Sequence, residues 1–304
     1  MSAPVLIDTD PGIDDALALL FAWGSPELAV EAITTVAGNV PVEVATTNAF
    51  RLLELRRPVP RPPVAVGAAR PLARPLLTAV KYHGQDGLGD LPDWAPVPER
   101  PVAAGATSVI LEAARRLGPR LTLIALGPLT NVALALDADA AAMGRVGRVI
   151  VMGGAVDVPG NVTPTAEFNL HVDPDAAARV FASGLPIDLV PLDATRQALL
   201  LRHELTAALA RTPGPVAARV AAFTERGFRV DREGGARGMI LHDPLAVGVA
   251  VEPTVVTWER ARLGIGHEGE TRHAAGAPNC RVARVVDRDR FLSIFLPRLC
   301  PASS

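Results

Sequence analysis

The sequence is poor in several residue types, and each scarcity excludes a class of protein. Its 304 residues include two cysteines, one lysine, one tyrosine and an aromatic content of 4%. Cys280 and Cys300 are too few for a disulfide framework and lack metal-ligand spacing, so we expect a reducing, cytoplasmic compartment. No uncharged apolar run approaches the ~18 residues of a membrane span. The N-terminus enters an apolar segment almost at once, so we expect no signal peptide.

An excess of charge of one sign is also missing. The chain carries 30 basic and 32 acidic residues, for a net charge of −2, and 49% of its residues are hydrophobic. We therefore expect no binding of nucleic acid or of anionic membranes. A chain of this length can bury a substantial core. Because it shows no internal repeat and no clear boundary, we expect a single domain over residues 1–304.

What the sequence does contain is an alternation of short β-branched runs and helical patterns. Strands are predicted over Val5–Ile7, Val30–Val36, Val64–Val66, Leu121–Leu126, Arg148–Met152 and Ile187–Val190. Helices are predicted over Asp14–Trp23, Val42–Leu55, Ala104–Leu117, Leu129–Leu136 and Asp175–Phe181. This order predicts an α/β fold: an open, mostly parallel, Rossmann-like sheet with helices on both faces and extra C-terminal helices and strands. The functional site is expected at the carboxyl ends of the strands.

Two segments do not follow this alternation. Arg56–Pro101 is rich in proline and arginine, and it predicts a long surface connection that carries Tyr82-His83-Gly84. Residues 203–240 predict helical structure that ends in the glycine- and arginine-rich stretch Arg232–Gly238.

Four aspartates lie within eight residues at the end of the first predicted strand: Asp8, Asp10, Asp14 and Asp15. Carboxylates this close repel one another and cost free energy to desolvate. Helix capping would explain one or two of them, but not four. A hard divalent cation bound by oxygen, Ca²⁺ or Mg²⁺, would relieve the repulsion, so this segment predicts a metal site.

Six short motifs lie along the chain: Asp8–Ala16, Thr35–Asn39, Gly127–Asn131, Met152–Gly154, Ala166–Asn169 and His242–Pro244. In this order and at this spacing they together resemble the inosine-uridine preferring nucleoside hydrolases. The resemblance implies a calcium-dependent enzyme that hydrolyses the N-glycosidic bond of purine or pyrimidine ribonucleosides, such as inosine, uridine and cytidine, to ribose and free base. It also implies a homodimer or homotetramer, with a role in base salvage.

The resemblance further implies how one Ca²⁺ is bound. Carried over position by position, the ligands are Asp10, Asp15, Asp243 and the main-chain carbonyl of Leu126. Leu126 stands where the family usually has threonine, but only its backbone oxygen is needed. Without the resemblance the role of Asp243 stays open, because aspartate before proline is an ordinary helix N-cap pattern. Asp173-Pro174 repeats that pattern.

Substrate contacts are implied in the same way. The set expected to touch the nucleoside is Asp14, Asn39, His83, Met152, Asn161, Glu167, Phe168, Asn169, Phe228 and His242. Asn161, Glu167 and Asn169 have the spacing of the family's ribose-binding loop. Asp14 is expected to hold the 2′-hydroxyl. Phe228 is expected to stack on the base, in a stretch where the family more often has tyrosine.

Catalysis is expected from Asp10, Asn39 and His242. Asp10 would accept the proton of the attacking water, Asn39 would contact the sugar, and His242 would donate a proton to the departing base. A histidine beside an apolar run more often packs in the core, and His83 is equally well interpreted as a surface residue. The resemblance places both histidines near the base.

Two other functions fit parts of the sequence. An apolar strand followed by Asp-x-Asp also opens phosphatases of the haloacid dehalogenase type, although these would have threonine or valine in place of Gly12. A ribonucleoside-binding protein on the same fold is the non-enzymatic alternative. A pure binder has little need of a water-activating acid such as Asp10, which favours the hydrolase.

Overall fold

A sheet of eight strands forms the centre of the fold in the computed structural model, which describes residues 2–300. Over these residues the strands are β1 (Ala3–Thr9), β2 (Leu28–Thr35), β3 (Val64–Val66), β4 (Thr122–Ala125), β5 (Arg148–Met152), β6 (Ile187–Val190), β7 (Leu199–Leu200), β8 (Met239–Ile240), β9 (Val256–Ala261), β10 (Leu263–Ile265), β11 (Thr271–His273) and β12 (Cys280–Val286).

The helices of the same residues surround this sheet. They are α1 (Ile13–Trp23), α2 (Val42–Arg56), α3 (Val80–His83), α4 (Ala106–Leu117), α5 (Thr130–Ala138), α6 (Ala140–Met143), α7 (Phe168–Val172), α8 (Pro174–Ala182), α9 (Leu192–Thr195), α10 (Arg202–Arg211), α11 (Pro215–Glu233), α12 (His242–Val251) and α13 (Arg288–Leu299). Short 3₁₀ turns lie at Gly118–Arg120 and Pro253–Val255.

The strand order is β3-β2-β1-β4-β5-β6-β12-β9, and only the pair β12 and β9 is antiparallel. From β1 the chain moves outward through β2 and β3, then returns to place β4, β5 and β6 on the other side of β1. The direction of winding therefore reverses between β1 and β4. Open parallel sheets bind ligands at such a reversal, in the crevice outside the carboxyl ends of the strands.

Helices cover both faces of the sheet, and the residues of β1 show why. Successive side chains of a strand point to opposite faces. Val5 and Ile7 pack in the apolar core that includes α1, α12 and α13. Leu6 packs on the opposite side, with α4, α5 and α8. Because β1 is buried on both faces, its residues Val5–Ile7 form a continuous apolar run.

The predicted α/β fold with a mostly parallel sheet is confirmed. β3, β5 and β6 have the predicted bounds, and the other predicted strands and helices differ by a few residues at their ends. Arg56–Pro101 is not only a surface connection, because it contains α3 and His83 is buried. Within residues 2–300, no helix is both long and apolar enough to cross a membrane.

Candidate active site

Loops at the carboxyl ends of the strands enclose a cavity of about 500 Å³. Eleven of the predicted site residues line it: Asp14, Asn39, His83, Leu126, Met152, Asn161, Glu167, Phe168, Asn169, His242 and Asp243. Asp10 and Asp15 do not line the cavity. Both are completely buried, and both are hydrogen-bonded to Asn39 at its wall.

Acidic groups from distant parts of the chain meet at this cavity. Asp14, Asp15 and Asp243 each offer a carboxylate oxygen, and these oxygens lie within 4.8 Å of one another. Asp14 and Asp15 occupy the first turn of α1, and Asp243 occupies the first turn of α12. The positive ends of two helix dipoles thus face the acidic groups and lower the cost of keeping them ionised. We call Asp10, Asp14, Asp15 and Asp243 the carboxylate cluster.

Asp15 is held by hydrogen bonds on both oxygens. Its Oδ1 accepts from the Thr9 hydroxyl at 2.5 Å. Its Oδ2 accepts from the Gly12 amide at 2.9 Å and from Asn39 Nδ2 at 3.0 Å. These donors fix the carboxylate in one orientation.

Asp10 and Asp14 are only partly satisfied. The Asn39 amide donates to Asp10 Oδ2 at 2.6 Å, whereas Asp10 Oδ1 is buried without a partner. Asp14 Oδ1 is also buried without a partner, 3.9 Å from His83 Nδ1. Buried polar atoms are rarely left without a hydrogen bond, so two such oxygens in one cluster call for a bound group.

The position of Asp10 depends on two glycines. A Cβ atom on Gly38 would lie 2.1 Å from Asp10 Oδ2, and one on Gly127 would lie 2.5 Å from Asp10 Oδ1. Any larger residue at either position would collide with the carboxylate. The loops after β2 and β4 can therefore close around Asp10 only because both carry glycine.

The electrostatics of the carboxylate cluster fit a cation. Burial raises the pKa of Asp10, Asp14 and Asp243 well above the ordinary value, and repulsion by neighbouring aspartates raises each further. A cation would stabilise the charged forms, and the available donors are the oxygen ligands that Ca²⁺ and Mg²⁺ take. The residues present thus fit a hard divalent metal.

Asp8 has a structural role and stands apart from the cluster. Its Oδ1 accepts from the Thr34 hydroxyl at 2.5 Å and from Asn131 Nδ2 at 2.7 Å. Burial raises the pKa of Asp8 to about 7. These bonds join β1 to β2 and to α5, so the first aspartate of the motif supports the strand end that carries Asp10.

One side of the cavity is formed by a hydrogen-bonded loop. Glu167 caps α7: its carboxylate accepts from the amides of Asn169 at 2.8 Å and Gly154 at 3.0 Å, and burial raises its pKa. Asn169 Nδ2 donates to the carbonyl of Leu126 at 2.6 Å. That carbonyl still has a second lone pair for a cation. Asn161 Oδ1 accepts from the Phe168 amide at 2.9 Å.

The two histidines face the cavity as neutral rings. His83 Nδ1 accepts from the Ile13 amide at 3.0 Å, and burial lowers the pKa of His83 to about 4. His242 Nδ1 lies 2.8 Å from the Thr195 hydroxyl. Burial and then the nearby Arg196 lower the pKa of His242 to about 4. Hydrogen bonding to the protein thus orients both rings.

Phe228 is not where base stacking would require it. It is buried in the core, its ring lies 4.6 Å from the Arg202 guanidinium carbon, and it does not line the cavity. The C-terminal end of α11 and the segment after it supply the lining instead. The cavity residues that the sequence did not single out include Tyr82, Arg196, Val230, Asp231, Ala236 and Ile240. The position of Tyr82 beside His83, as the chain's only tyrosine, was the one available signal.

Known proteins with the same fold and sequence pattern are nucleoside hydrolases. Residues 5–293 match the family model "Inosine-uridine preferring nucleoside hydrolase". The pyrimidine-specific ribonucleoside hydrolase RihA of Klebsiella pneumoniae is 36% identical over 313 residues, 98% of this chain and 99% of that protein.

Solved structures agree with this match over the whole chain. A plant nucleoside hydrolase, the PpNRh1 enzyme, has a TM-score of 0.93 at 34% identity, over 99% of this chain and 100% of its own. A purine-preferring ribonucleoside hydrolase from Gardnerella vaginalis has a TM-score of 0.92 at 31% identity, over 98% of both chains. This protein therefore belongs to the inosine-uridine preferring nucleoside hydrolase family and is a nucleoside-hydrolysing enzyme.

Proposed function

We propose that the protein is a calcium-dependent hydrolase of the N-glycosidic bond of ribonucleosides, including inosine, uridine and cytidine. The observation that carries the proposal is the carboxylate cluster, with two unpartnered buried oxygens, beside a cavity of about 500 Å³. The relatives named above include a pyrimidine-specific and a purine-preferring enzyme, so both base classes are included. The phosphatase interpretation loses its support, because the match to nucleoside hydrolases covers nearly the whole chain.

Ca²⁺ would be held by Asp10, Asp15, Asp243 and the carbonyl of Leu126. We add Asp14, whose carboxylate offers an oxygen within 4.8 Å of those of Asp15 and Asp243. When bound, the ion supplies a positive charge that binds the sugar hydroxyls and makes water a better nucleophile. The unpartnered oxygens of Asp10 and Asp14 support this assignment.

Asp10 is proposed as the general base. Hydrolysis forms a C1′–O bond and breaks the C1′–N bond, whose electron pair leaves with the base. Asp10 Oδ2 is bound to the Asn39 amide, which leaves Oδ1 to accept the proton of the attacking water. Asp14 and Asn39 line the cavity and are proposed to hold the sugar hydroxyls. Asn161, Glu167 and Asn169 also line the cavity and are proposed to contact the ribose.

His242 is proposed to act on the leaving base. Because its pKa is about 4, the ring is neutral in the free enzyme and contacts the base as a hydrogen-bond donor. As negative charge develops on the base, the ring takes up a second proton from solvent and passes one on to the base, so that it is neutral again after the transfer. His83 is proposed to contact the substrate beside Asp14, and its bond from the Ile13 amide leaves the single proton of the neutral ring on Nε2.

The test is a panel of nucleosides with the free base quantified, with and without a calcium chelator. We expect base release from ribonucleosides, its loss on chelation and its return with added Ca²⁺. Deoxyuridine should be a poor substrate, since it lacks one of the two hydroxyls that the site would bind. Phosphate release from a generic phosphomonoester, or nucleoside binding without base release, would contradict the proposal.

We also propose an oligomeric state and a cellular compartment for the protein. The family resemblance supports a single domain that assembles as a homodimer or homotetramer with a role in base salvage, and size-exclusion chromatography with light scattering tests the assembly. Two buried free cysteines, Cys280 and Cys300, support the cytoplasm as the compartment.

A further inference from the structure

One part of the cavity lining differs in chemistry from the carboxylate cluster, although the charge of Asp231 still reaches Asp14. We call it the α11 end, and define it by Tyr82, Val230, Asp231, Ala236 and Ile240. Four of these come from the end of α11 and the segment that follows it. The side chains are mostly apolar and partly exposed, unlike the buried acidic groups of the cluster. A planar heterocycle fits such a surface better than a polyhydroxylated sugar does.

Asp231 is the charged residue of this end, and only one of its oxygens is engaged by the protein. Oδ2 accepts from the Tyr82 hydroxyl at 2.8 Å and from the Ile240 amide at 3.0 Å. No group among residues 2–300 hydrogen-bonds to Oδ1. Asp231 is half-buried and lines the cavity, so its free carboxylate oxygen favours a ligand that brings a donor, because an unpaired acceptor is costly once water is displaced.

The surroundings hold Asp231 in place. Arg226, five residues earlier on α11, donates to the carbonyl of Tyr82 at 3.0 Å and to that of Lys81 at 3.2 Å. Its Nη1 binds Asp90 at 2.9 Å. Helix α3 is thereby fastened to α11, and the Tyr82 hydroxyl is brought to Asp231. A fixed acceptor discriminates between ligands better than a mobile one, since little entropy is lost on binding.

We propose that Asp231 selects the base, by accepting at Oδ1 a hydrogen bond from an N–H group on the edge of the base. This inference rests on the proposed function, because it assigns a base-reading role within the same cavity. The donor is either a ring N–H, as in uracil and hypoxanthine, or an exocyclic amine, as in cytosine and adenine. Bases whose donor is blocked by methylation are poor substrates.

The first experiment compares matched substrates of the wild-type enzyme. The kcat/KM for uridine is measured against 3-methyluridine, and that for cytidine against N4,N4-dimethylcytidine. A hydrogen bond to a charged group is worth about tenfold to a hundredfold in such a ratio. We expect this loss in at least one pair, and the pair identifies the ring N–H or the amine as the donor. Equal values in both pairs would overturn the inference.

The second experiment separates hydrogen bonding from steric rejection of the methyl group. In Asp231→Asn the amide oxygen can still accept from Tyr82 and Ile240, whereas the amide nitrogen replaces the Oδ1 acceptor with a donor. The methylation ratio is the kcat/KM of the unmethylated nucleoside divided by that of its methylated counterpart. We expect this ratio to fall toward one, chiefly because the unmethylated substrate becomes worse. A ratio that stays at its wild-type value would show that the methyl group is rejected by shape and would overturn the inference.

Two further variants complete the design. Tyr82→Phe removes one bond to Oδ2 but leaves Oδ1, so the methylation ratio should persist. If Asp231→Asn fails to fold, Asp231→Ala takes its place with the same expected ratio. Absence of base release from every nucleoside would refute the proposed function and this inference together. Base release without discrimination would refute the inference alone.

Discussion

At the residue scale, the central feature is a carboxylate that the fold presents with one free oxygen. Asp10 is completely buried, is closely surrounded by Gly38 and Gly127, and has its Oδ2 bonded to the Asn39 amide. The remaining oxygen has no hydrogen-bond partner, and the charges of Asp15 and Asp14 lie close enough to repel it. Such an arrangement is costly for stability, and it is understandable where the group must bind a cation and accept a proton.

Asp10→Ala should therefore lose at least a thousandfold in kcat. General-base assistance alone is typically worth about 10²–10⁴ in rate, and part of the cation site is lost as well. The measurement is base release from uridine with Ca²⁺ in excess, together with direct Ca²⁺ binding. Asp8→Asn is the matched control, because Asp8 bonds Thr34 and Asn131 away from the cluster. If Asp10→Ala kept a tenth of the wild-type rate with Ca²⁺ bound, Asp10 would not be the base.

At the scale of elements, an aspartate followed by proline stands at the start of two helices, α8 and α12, and has a different role in each. Asp173 is the N-cap of α8: its carboxylate accepts from the Ala176 amide at 3.1 Å and from the Thr130 hydroxyl at 2.7 Å. Asp243 makes no such cap at α12, and its oxygen joins Asp14 and Asp15. A local pattern of aspartate and proline cannot distinguish these two outcomes, because the difference lies in what other elements bring nearby.

Substitution of Asp173 and substitution of Asp243 should affect the protein differently. Asp173→Ala should lower the melting temperature by several degrees, since loss of an N-cap costs about 0.5–2 kcal/mol, and it should keep its response to Ca²⁺. Asp243→Ala should lose activity and the response to Ca²⁺. Thermal unfolding with and without Ca²⁺, alongside an activity assay, checks both. A Ca²⁺ response that disappears in Asp173→Ala and persists in Asp243→Ala would reverse the assignment.

Helix α11 holds the segment that carries His83. Arg226→Ala removes the bonds to the carbonyls of Tyr82 and Lys81 and to Asp90. We expect KM to rise about tenfold with a smaller change in kcat, because α3 becomes mobile while the carboxylate cluster is untouched. Arg229→Ala, an exposed neighbour on the same helix, is the control. An unchanged KM in Arg226→Ala would show that α3 keeps its place without this contact.

Elements also show how far the sequence predicted the structure. Strands such as Arg148–Met152 were predictable because a buried parallel strand is a local apolar run. β12 was not assigned, since Arg281 and Arg284 interrupt its apolar pattern. His83 binds a backbone amide 70 positions away, and Tyr82 bonds Asp231 149 positions away. No local periodicity reports such contacts, and none indicates that Phe228 is buried in the core while Val230 lines the cavity.

At the scale of the whole molecule, the cation site joins the two ends of the fold. Asp10, Asp14 and Asp15 follow β1, whereas Asp243 belongs to a helix near the C-terminus, and α1 and α12 pack together in one core. Without a cation, like charges at two helix starts repel one another where those helices meet. A bound ion therefore stabilises the native state of the entire chain, by mass action as well as locally.

Global stability should accordingly depend on Ca²⁺. Binding to the native state alone contributes about 2.7 kcal/mol at a hundred times Kd, which for a protein of this size corresponds to a rise in melting temperature of several degrees. We expect a saturable rise with Ca²⁺ after chelator treatment and a smaller one with Mg²⁺, which demands stricter octahedral geometry and gives up its water reluctantly. Asp243→Ala should abolish the rise. If Ca²⁺ left the wild-type melting temperature unchanged at millimolar concentration while activity persisted under chelation, the carboxylate cluster would have to function without a metal.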